Sequence, residues 1–275
     1  MTNDLIAIDL NVDAALLLQD MAGIDSYPAV LAVLPNIFRI EDLDRVRALV
    51  FDQLTEAGIV EDGRVHPQVE QWLQCLYRPD VELVARVAET GWDDGPRGML
   101  RFSLVRGGDT HVLALRYGDH IVIQPLFPRG KRLDAVADAL LAALGPVPAL
   151  TFDAFTTTPD QLDTVPADPV QRRQALIELG ASARTARVLT GALDTVARRA
   201  EVYMLEHHDG STATPELALN VLDTRAGRIA VVPQRALDGQ VRATLLPGDT
   251  AGLSAAVRAL ADLLPGGSWF EASRR

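Results

Sequence analysis

The sequence has little of three features that often identify a class of protein: cysteine, excess basic charge and long apolar segments. Its 275 residues include a single cysteine, Cys75, which excludes a disulfide framework and a metal site of the CxxC type. No apolar run approaches the roughly 20 residues that a membrane helix needs. Acidic side chains near the N-terminus, where a signal peptide would carry basic ones, favour a cytoplasmic protein.

Basic residues are outnumbered by acidic ones, 26 to 37, which gives a formal net charge of -11. A chain of this charge has no general attraction to a phosphate backbone or to an anionic membrane, and the sequence contains no Lys/Arg cluster that would supply a local one. We therefore expect neither nucleic acid nor membrane as a partner. The hydrophobic content of 48% is sufficient for a large core.

Motifs of the common enzyme classes are also missing. There is no GxGxxG before a helix, no GxxxxGK[ST] and no GxSxG. The densest group of possible metal ligands is Glu206-His207-His208-Asp209, but neighbouring histidines on a strand point to opposite faces, so a solvated strand end is favoured over a metal site. Cys75, between Trp72 and Leu76 on a predicted helix, is interpreted as a buried, inert thiol. We predict no catalytic residue, no metal and no cofactor, so the protein is not expected to be an enzyme.

Apolar periodicity predicts the same order of elements twice: helices, a strand, a hairpin, a further strand and a final helix. The two halves can be overlaid so that Val69 falls on Val188 and Asp119 on Asp238, which suggests an internal duplication. Turns of two to five residues between the strands indicate antiparallel pairing and an α+β fold. We divide the chain into an N-terminal half (1–145), a Pro-rich connector with little regular structure (146–169) and a C-terminal half (170–275).

Strand alternation in the C-terminal half predicts one apolar and one mixed face. Leu217, Leu219 and Val221 are expected to join Ile229 and Val231 in the core. The opposite face would then combine small, aliphatic and polar side chains and could receive the tip of a partner helix. An ordinary solvent-exposed sheet face is the alternative interpretation. The residues assigned to this mixed face include Glu216, Ala218, Asn220, Val232 and Gln234.

Several segments resemble one family of proteins. In the N-terminal half these are Ser26-Tyr27-Pro28-Ala29-Val30-Leu31-Ala32-Val33, Gly58-Ile59-Val60 and Val65-His66-Pro67-Gln68-Val69-Glu70-Gln71-Trp72. In the C-terminal half they are Glu206-His207-His208-Asp209-Gly210, Val221-Leu222-Asp223-Thr224, Gly227-Arg228-Ile229, Ala236-Leu237-Asp238-Gly239 and Leu264-Pro265-Gly266-Gly267-Ser268-Trp269-Phe270. By their order and spacing, the chain resembles the EspG family, the cytosolic chaperones of ESX (type VII) secretion, and is most similar to the branch that serves the iron-acquisition ESX system.

The resemblance implies a central antiparallel β-sheet region flanked by two helical bundles, with quasi-twofold internal duplication. It also implies a function: binding the helical tip of the PPE subunit in PE–PPE heterodimers, preventing aggregation of that tip and targeting the pair to its secretion system. Glu216 matches an interface acid of the family, and Gln234 and Arg235 match a polar patch. Ala218, Asn220 and Val232 are added from strand alternation. The last implied feature is a mobile hairpin loop that adjusts to cargo, formed by Arg106, Gly107, Gly108, Asp109 and Thr110.

Two other functions stay open. An uncharacterised enzyme would have to use His111, His207 and Asp209, the only candidates for convergent titratable groups. A structural subunit could instead form a homodimer through the sheet, and a weak homodimer is also compatible with a chaperone. None of the four tyrosines is followed four residues later by aspartate, so the Tyr-x-x-x-Asp export signal of type VII cargo is missing. This favours a helper of secretion over an exported protein.

Overall fold

A ten-stranded sheet forms the centre of the computed structural model, which describes residues 5–35, 40–90, 98–209 and 217–274. All neighbouring strands pair antiparallel, in the order β1-β7-β6-β5-β4-β9-β10-β11-β12-β8. A separate two-stranded ribbon is made by β2 and β3. The strands are β1 (Ile8–Leu10), β2 (Val60–Glu61), β3 (Arg64–Val65), β4 (Val81–Glu89), β5 (Gly98–Gly107), β6 (Thr110–Tyr117), β7 (His120–Leu126), β8 (Phe155–Thr157), β9 (Val196–Glu206), β10 (Leu219–Thr224), β11 (Gly227–Arg235) and β12 (Val241–Pro247).

Several helices begin after a residue whose side chain caps them. Asn11, Thr158, Asp168, Ser182 and Asp249 each accept a backbone N–H bond as N-caps. Asp13 lies inside the first turn of the helix that Asn11 caps. The helices are α1 (Val12–Ala22), α2 (Ile40–Glu56), α3 (Pro67–Tyr77), α4 (Asp134–Leu144), α5 (Pro159–Asp163), α6 (Pro169–Glu178), α7 (Ala183–Leu193) and α8 (Thr250–Asp262), with a 3-10 turn at Ala29–Leu31.

Three apolar clusters hold these elements together. On one face of the sheet, α4 and α8 pack across both halves and share a single cluster that includes Leu140, Leu260 and Trp269. On the other face, α1 and α3 cover the N-terminal half of the sheet. Helices α6 and α7 cover part of the C-terminal half of that same face, around Leu176 and Leu189. The expected α+β class, with a central antiparallel sheet flanked by helical groups, is confirmed.

The two halves of the sheet have the same arrangement. Strands β4 and β9 lie side by side at the centre, and each is followed outward by three strands in chain order and by a short edge strand, β1 or β8. This order is compatible with the duplication inferred from the sequence, which stays a prediction.

The Pro-rich segment 146–169, which was expected to have little regular structure, contributes two short elements to the fold. It contains the edge strand β8, which pairs with β12, and the short helix α5. Helix α5 begins with a capping box between Thr158 and Gln161 and has Pro159 in its first turn. The segment therefore completes the sheet and contributes one wall of the groove described below.

No helix within the described ranges is both long enough and apolar enough to cross a membrane.

Candidate functional site

A groove of about 410 Å³ lies between the C-terminal half of the sheet and helices α5, α6 and α7. Its floor comes from β10, β11 and β12, and its walls come from the ends of the three helices. Most of its lining is apolar, as is typical of sites that bind apolar groups. The apolar lining consists of Pro159, Leu162, Val165, Leu176, Leu193, Leu217, Ala218, Leu222, Ile229, Val231, Pro233, Ala243 and Leu245.

A few polar groups interrupt this apolar lining. Asp163, Arg199 and Asn220 are its polar lining residues. The Asn220 side-chain amide contacts only the carbonyl oxygen of Ala218 among the described hydrogen bonds, at 3.5 Å, the outer limit for such a bond. This amide is therefore available to a bound group that brings a better acceptor.

The same face of the sheet is uncovered toward its centre. Arg86 and Glu201 are directly opposite each other on β4 and β9, and Glu201 in turn pairs with Asn220 on β10. The Arg86 and Glu201 side chains are 47% and 48% exposed although their strands are the innermost of ten. Directly paired residues share a face, so the groove continues into an open, polar valley between the two helical groups.

A buried arginine fixes the wall of the groove. Arg172 on α6 donates to the carbonyl oxygens of Thr190 on α7 and of Pro166 and Ala167 before α6, and it pairs with Asp194 at 2.7 Å. These contacts hold α6, α7 and the segment after α5 at a defined spacing. Because a buried guanidinium with several acceptors is costly to displace, we regard the groove as preformed.

The six residues predicted to bind a partner do not share one face. Asn220 is paired with Val231, so it lies on the side of Ile229 and Val231, which had been assigned to the opposite, core face. Ala218 and Asn220 line the groove, and so does Val231. The assignment of Asn220 and Val231 to different faces is therefore wrong.

Val232 and Gln234 lie on the other side of the sheet. Val232 is 2% exposed and packs in the cluster of α4 and α8, so it cannot contact a partner in this conformation. Gln234 and Arg235 are exposed near the end of β11, and their consecutive positions place them on opposite faces. Glu216 lies outside the described residues.

The predicted hairpin loop at Arg106–Thr110 is shorter than expected. Gly107 pairs with Thr110 and Arg106 with His111, which leaves only Gly108 and Asp109 as a turn. Arg106 itself is 4% exposed, donates to the carbonyl oxygens of Trp269 and Ala272 and pairs with Asp80 at 3.0 Å. Arg106 is therefore an anchor for the C-terminal segment, and its assignment to a mobile loop is wrong.

The candidates for an enzymatic site are each engaged elsewhere. His207 Nε2 lies 3.1 Å from Glu82, His111 accepts a hydrogen bond from the Trp269 indole, and Asp209 pairs with Arg78 and Arg274. Within the described part of the chain, no group of three His, Cys, Asp or Glu side chains is placed to hold a metal ion.

The single cysteine is buried, as predicted. Burial raises the pKa of the Cys75 thiol to about 11, so the group is a thiol at neutral pH.

The helical wall of the groove was not predicted from the sequence. Leu162, Leu176 and Leu193 line it, and none had been assigned a role. The wall formed by α5 did have a signal in the sequence. Thr158, Pro159 and Gln161 form a helix-start pattern inside the Pro-rich segment.

Comparisons with known proteins agree with this architecture. The chain is 30% identical to an ESX-1 secretion-associated protein EspG1 of Mycobacterium marinum, over 98% of this chain and 92% of the relative. It is 29% identical to an ESX-3 secretion-associated protein EspG3 of Mycolicibacterium smegmatis, over 96% and 89%. These two values do not separate the branches, so the assignment to the iron-acquisition branch stays a prediction.

A solved structure has the same fold. The Mycobacterium tuberculosis type VII secretion system chaperone EspG5, in complex with a PE25-PPE41 dimer, superposes with a TM-score of 0.80 at 22% identity, covering 97% of this chain and 100% of that one. The family model of the EspG family matches residues 11–259. The chain therefore belongs to the EspG family.

Proposed function

We propose that this protein is a cytoplasmic specificity chaperone that binds a PE–PPE heterodimer through the helical tip of its PPE subunit and directs the pair to a type VII secretion system. The observation that carries the proposal is the preformed apolar groove beside an open polar valley, in a chain of the EspG family. The similar EspG5 structure contains a PE25-PPE41 dimer, which supports a partner of this class.

The physical argument concerns aggregation. An exposed apolar helical tip is an aggregation hazard for the cargo, and covering it removes that surface from water at roughly 25 cal/mol per Å². A standard interface buries about 800 Å² on each partner, which is more surface than the groove alone provides. The tip would therefore also cover the valley around Arg86 and Glu201. The apolar groove supplies affinity, and the polar groups of its lining and of the valley select the cargo.

We further propose that the protein has no catalytic activity, since its relatives are named as secretion-associated proteins. The alternative of a homodimeric structural subunit predicts a constant dimer. Light scattering at several concentrations distinguishes the two, because a chaperone whose groove is reserved for cargo is monomeric or only weakly dimeric.

Co-expression with the PE–PPE pairs encoded nearby tests the proposal. We expect a soluble 1:1:1 complex on size exclusion, formed with a pair that is insoluble when expressed alone. Failure to form a complex with any cognate pair would contradict the proposal. The role of Glu216 is tested in the same assay with Glu216→Arg, which is expected to abolish binding.

A variant in the groove tests its role directly. Val231→Arg places a charge on the floor of the groove, and we expect binding of the pair to weaken at least tenfold because the charge would be buried by the apolar tip. Leu237→Arg is the matched control, since Leu237 is fully exposed at the β11–β12 turn. Equal binding by the two variants, both with native circular dichroism, would remove the groove from the proposed interface.

A further inference from the structure

The groove has a counterpart in the N-terminal half of the same sheet face. The strand register defines one row of paired residues that runs outward from each of the two central strands. Ala85 and Val202 are paired at the centre of the sheet. Each row begins one residue before a member of this pair, at Val84 or at Glu201, and both rows lie on the same face. The N-terminal row is Val84, Ser103, Ala114, Ile123 and Ile8, and the C-terminal row is Glu201, Asn220, Val231, Leu245 and Phe155.

In the N-terminal half the chain covers this row itself. The segment from 24 to 34 leaves α1, and its 3-10 turn Ala29–Leu31 packs on β4, β5 and β6. Val30 and Leu31 are 8% and 0% exposed within the N-terminal apolar cluster. Beneath them Ser103 and Ala114 are completely buried.

Among the described residues of the C-terminal half, no segment provides such a cover. The connection between α5 and α6 comprises only residues 164–168, whereas the connection between α1 and α2 comprises residues 23–39. Asn220 and Val231, which correspond to Ser103 and Ala114, are partly exposed and line the groove. The groove is therefore the place that a covering segment would fill.

The residues that hold the cover in the N-terminal half also have counterparts. Arg101 donates to the carbonyl oxygen of Val30 at 3.1 Å, and Arg116 donates to those of Leu31, at 2.9 Å, and Ala32. Pro233 is the counterpart of Arg116, because Arg116 pairs with Ile121 and Pro233 pairs with Ala243 at the corresponding position. Ala218 is the counterpart of Arg101, because Arg101 lies two residues before Ser103 and Ala218 lies two residues before Asn220. Ala218 and Pro233 cannot donate to carbonyl oxygens through their side chains, so at these two positions an occupant of the groove makes apolar contact, and donors remain only at Asn220 and Arg199 among the lining residues.

We propose that the segment 24–34 is a built-in counterpart of the partner, and that the groove accepts one short helical turn of small and apolar side chains in the same position. This inference rests on the proposed function and specifies its partner: the inserted element resembles Ala29–Leu31 in size and apolarity, and its nearest polar contact is the Asn220 amide. A long charged helix does not fit this description.

An insertion variant tests the inference. Residues 24–34, flanked by short Gly-Ser linkers, are inserted between Pro166 and Ala167, which reproduces the connection of the N-terminal half. A probe cysteine is placed in the groove by Asn220→Cys in a Cys75→Ala background. The matched control is the same insertion with aspartate at the inserted copies of Val30 and Leu31.

We expect the apolar insertion to slow thiol modification of the probe cysteine at least tenfold relative to the aspartate insertion, because a tethered segment has a high effective concentration. Equal rates in two variants with native circular dichroism would overturn the inference. If the insertions prevent folding, the free 24–34 peptide and its double-aspartate form are compared at millimolar concentration, and equal rates overturn the inference in the same way. Binding of the PE–PPE pair is measured on the chain without the insertion, so failure of the proposed function is recorded independently.

Discussion

His111 is held in one protonation state by its neighbours. Its Nε2 accepts a hydrogen bond from the Trp269 indole at 3.1 Å, its Nδ1 faces the Asp109 carbonyl oxygen at 3.3 Å, and its ring lies against Trp269 and Phe270. An acceptor at Nε2 requires the neutral imidazole. Burial lowers the pKa of His111 below the ordinary value of 6.5, the charge of Arg106 adds to that effect, and the Asp109 carbonyl and carboxylate oppose it.

Protonation of His111 should weaken the folded state. Because the pKa of His111 is lowered on folding, the unfolded chain binds more protons below about pH 6.5, so this contribution to stability is complete above that pH and is lost as pH falls. We expect the melting temperature to fall less between pH 7.5 and 5 in His111→Phe than in the wild type. The variant should also lose about 1 kcal/mol at pH 7.5, since the Trp269 N–H loses its acceptor.

His120→Phe is the control for that measurement, because the His120 side chain is 83% exposed. Melting curves recorded by tryptophan fluorescence should have the wild-type pH dependence in this variant. An unchanged pH dependence in His111→Phe would remove His111 as the titrating group.

The segment after α8 behaves as an element of its own, although it has no regular structure. Residues 265–274 cross to the N-terminal half, where Arg106 binds two of their carbonyl oxygens, and Asp80 accepts from the backbone N–H of Arg274 at 2.8 Å. The Arg274 side chain reaches Asp209, at the beginning of the connection from β9 to β10. The segment thus fixes one end of the connection that leads to the groove.

Replacing the anchor of this segment should destabilise the protein. Arg106→Met removes the bonds to Trp269 and Ala272 and leaves Asp80 without its cation, so we expect the free energy of unfolding to fall by about 3 kcal/mol. Arg242→Met breaks an exposed pair with Asp238 and should cost far less, because solvent screens that pair. Urea denaturation measures both variants, and equal losses would show that Arg106 is not an anchor.

Strands and helices could be predicted well from the sequence, but their register could not. Thr224 pairs with Gly227, so the β10–β11 turn has two residues, whereas placing Asn220 and Val232 on the same face would need a turn with one residue more. When a turn is longer or shorter by one residue, every side chain of the second strand moves to the other face of the sheet. For this reason Asn220 and Val232 were assigned to the same face although they lie on opposite ones. The edge strand β8 was missed because three residues are too short for alternation to be recognised.

Long-range contacts were also beyond the sequence analysis. Arg106 and Trp269 are far apart in the chain, and no local pattern marks an arginine that will be buried by a distant segment. The location of a cargo site on the C-terminal half of the sheet was expected from the family resemblance. Ala218 and Asn220, which were predicted to bind the partner, line the floor of the groove, and their binding role stays a prediction. The helical wall of the groove required the structure.

At the scale of the whole molecule, three junctions between the two halves stand out among the described residues. Strands β4 and β9 pair along residues Val81 to Glu89, helices α4 and α8 share one apolar cluster, and the C-terminal segment binds the β5–β6 hairpin. Each junction buries apolar side chains or polar groups that would be left without partners if one half opened alone. The halves should therefore depend on each other for stability.

We expect one cooperative unfolding transition as a consequence. Trp72 is buried in the N-terminal cluster and Trp269 in the cluster of α4 and α8, so variants that retain only one of these tryptophans report on different regions. Their urea curves, followed by fluorescence, should have the same midpoint and slope because both halves unfold together. A Trp269 transition that precedes the Trp72 transition would instead mean that the C-terminal half unfolds first. The groove would then belong to a separately stable unit, and binding of a partner there would stabilise only that half.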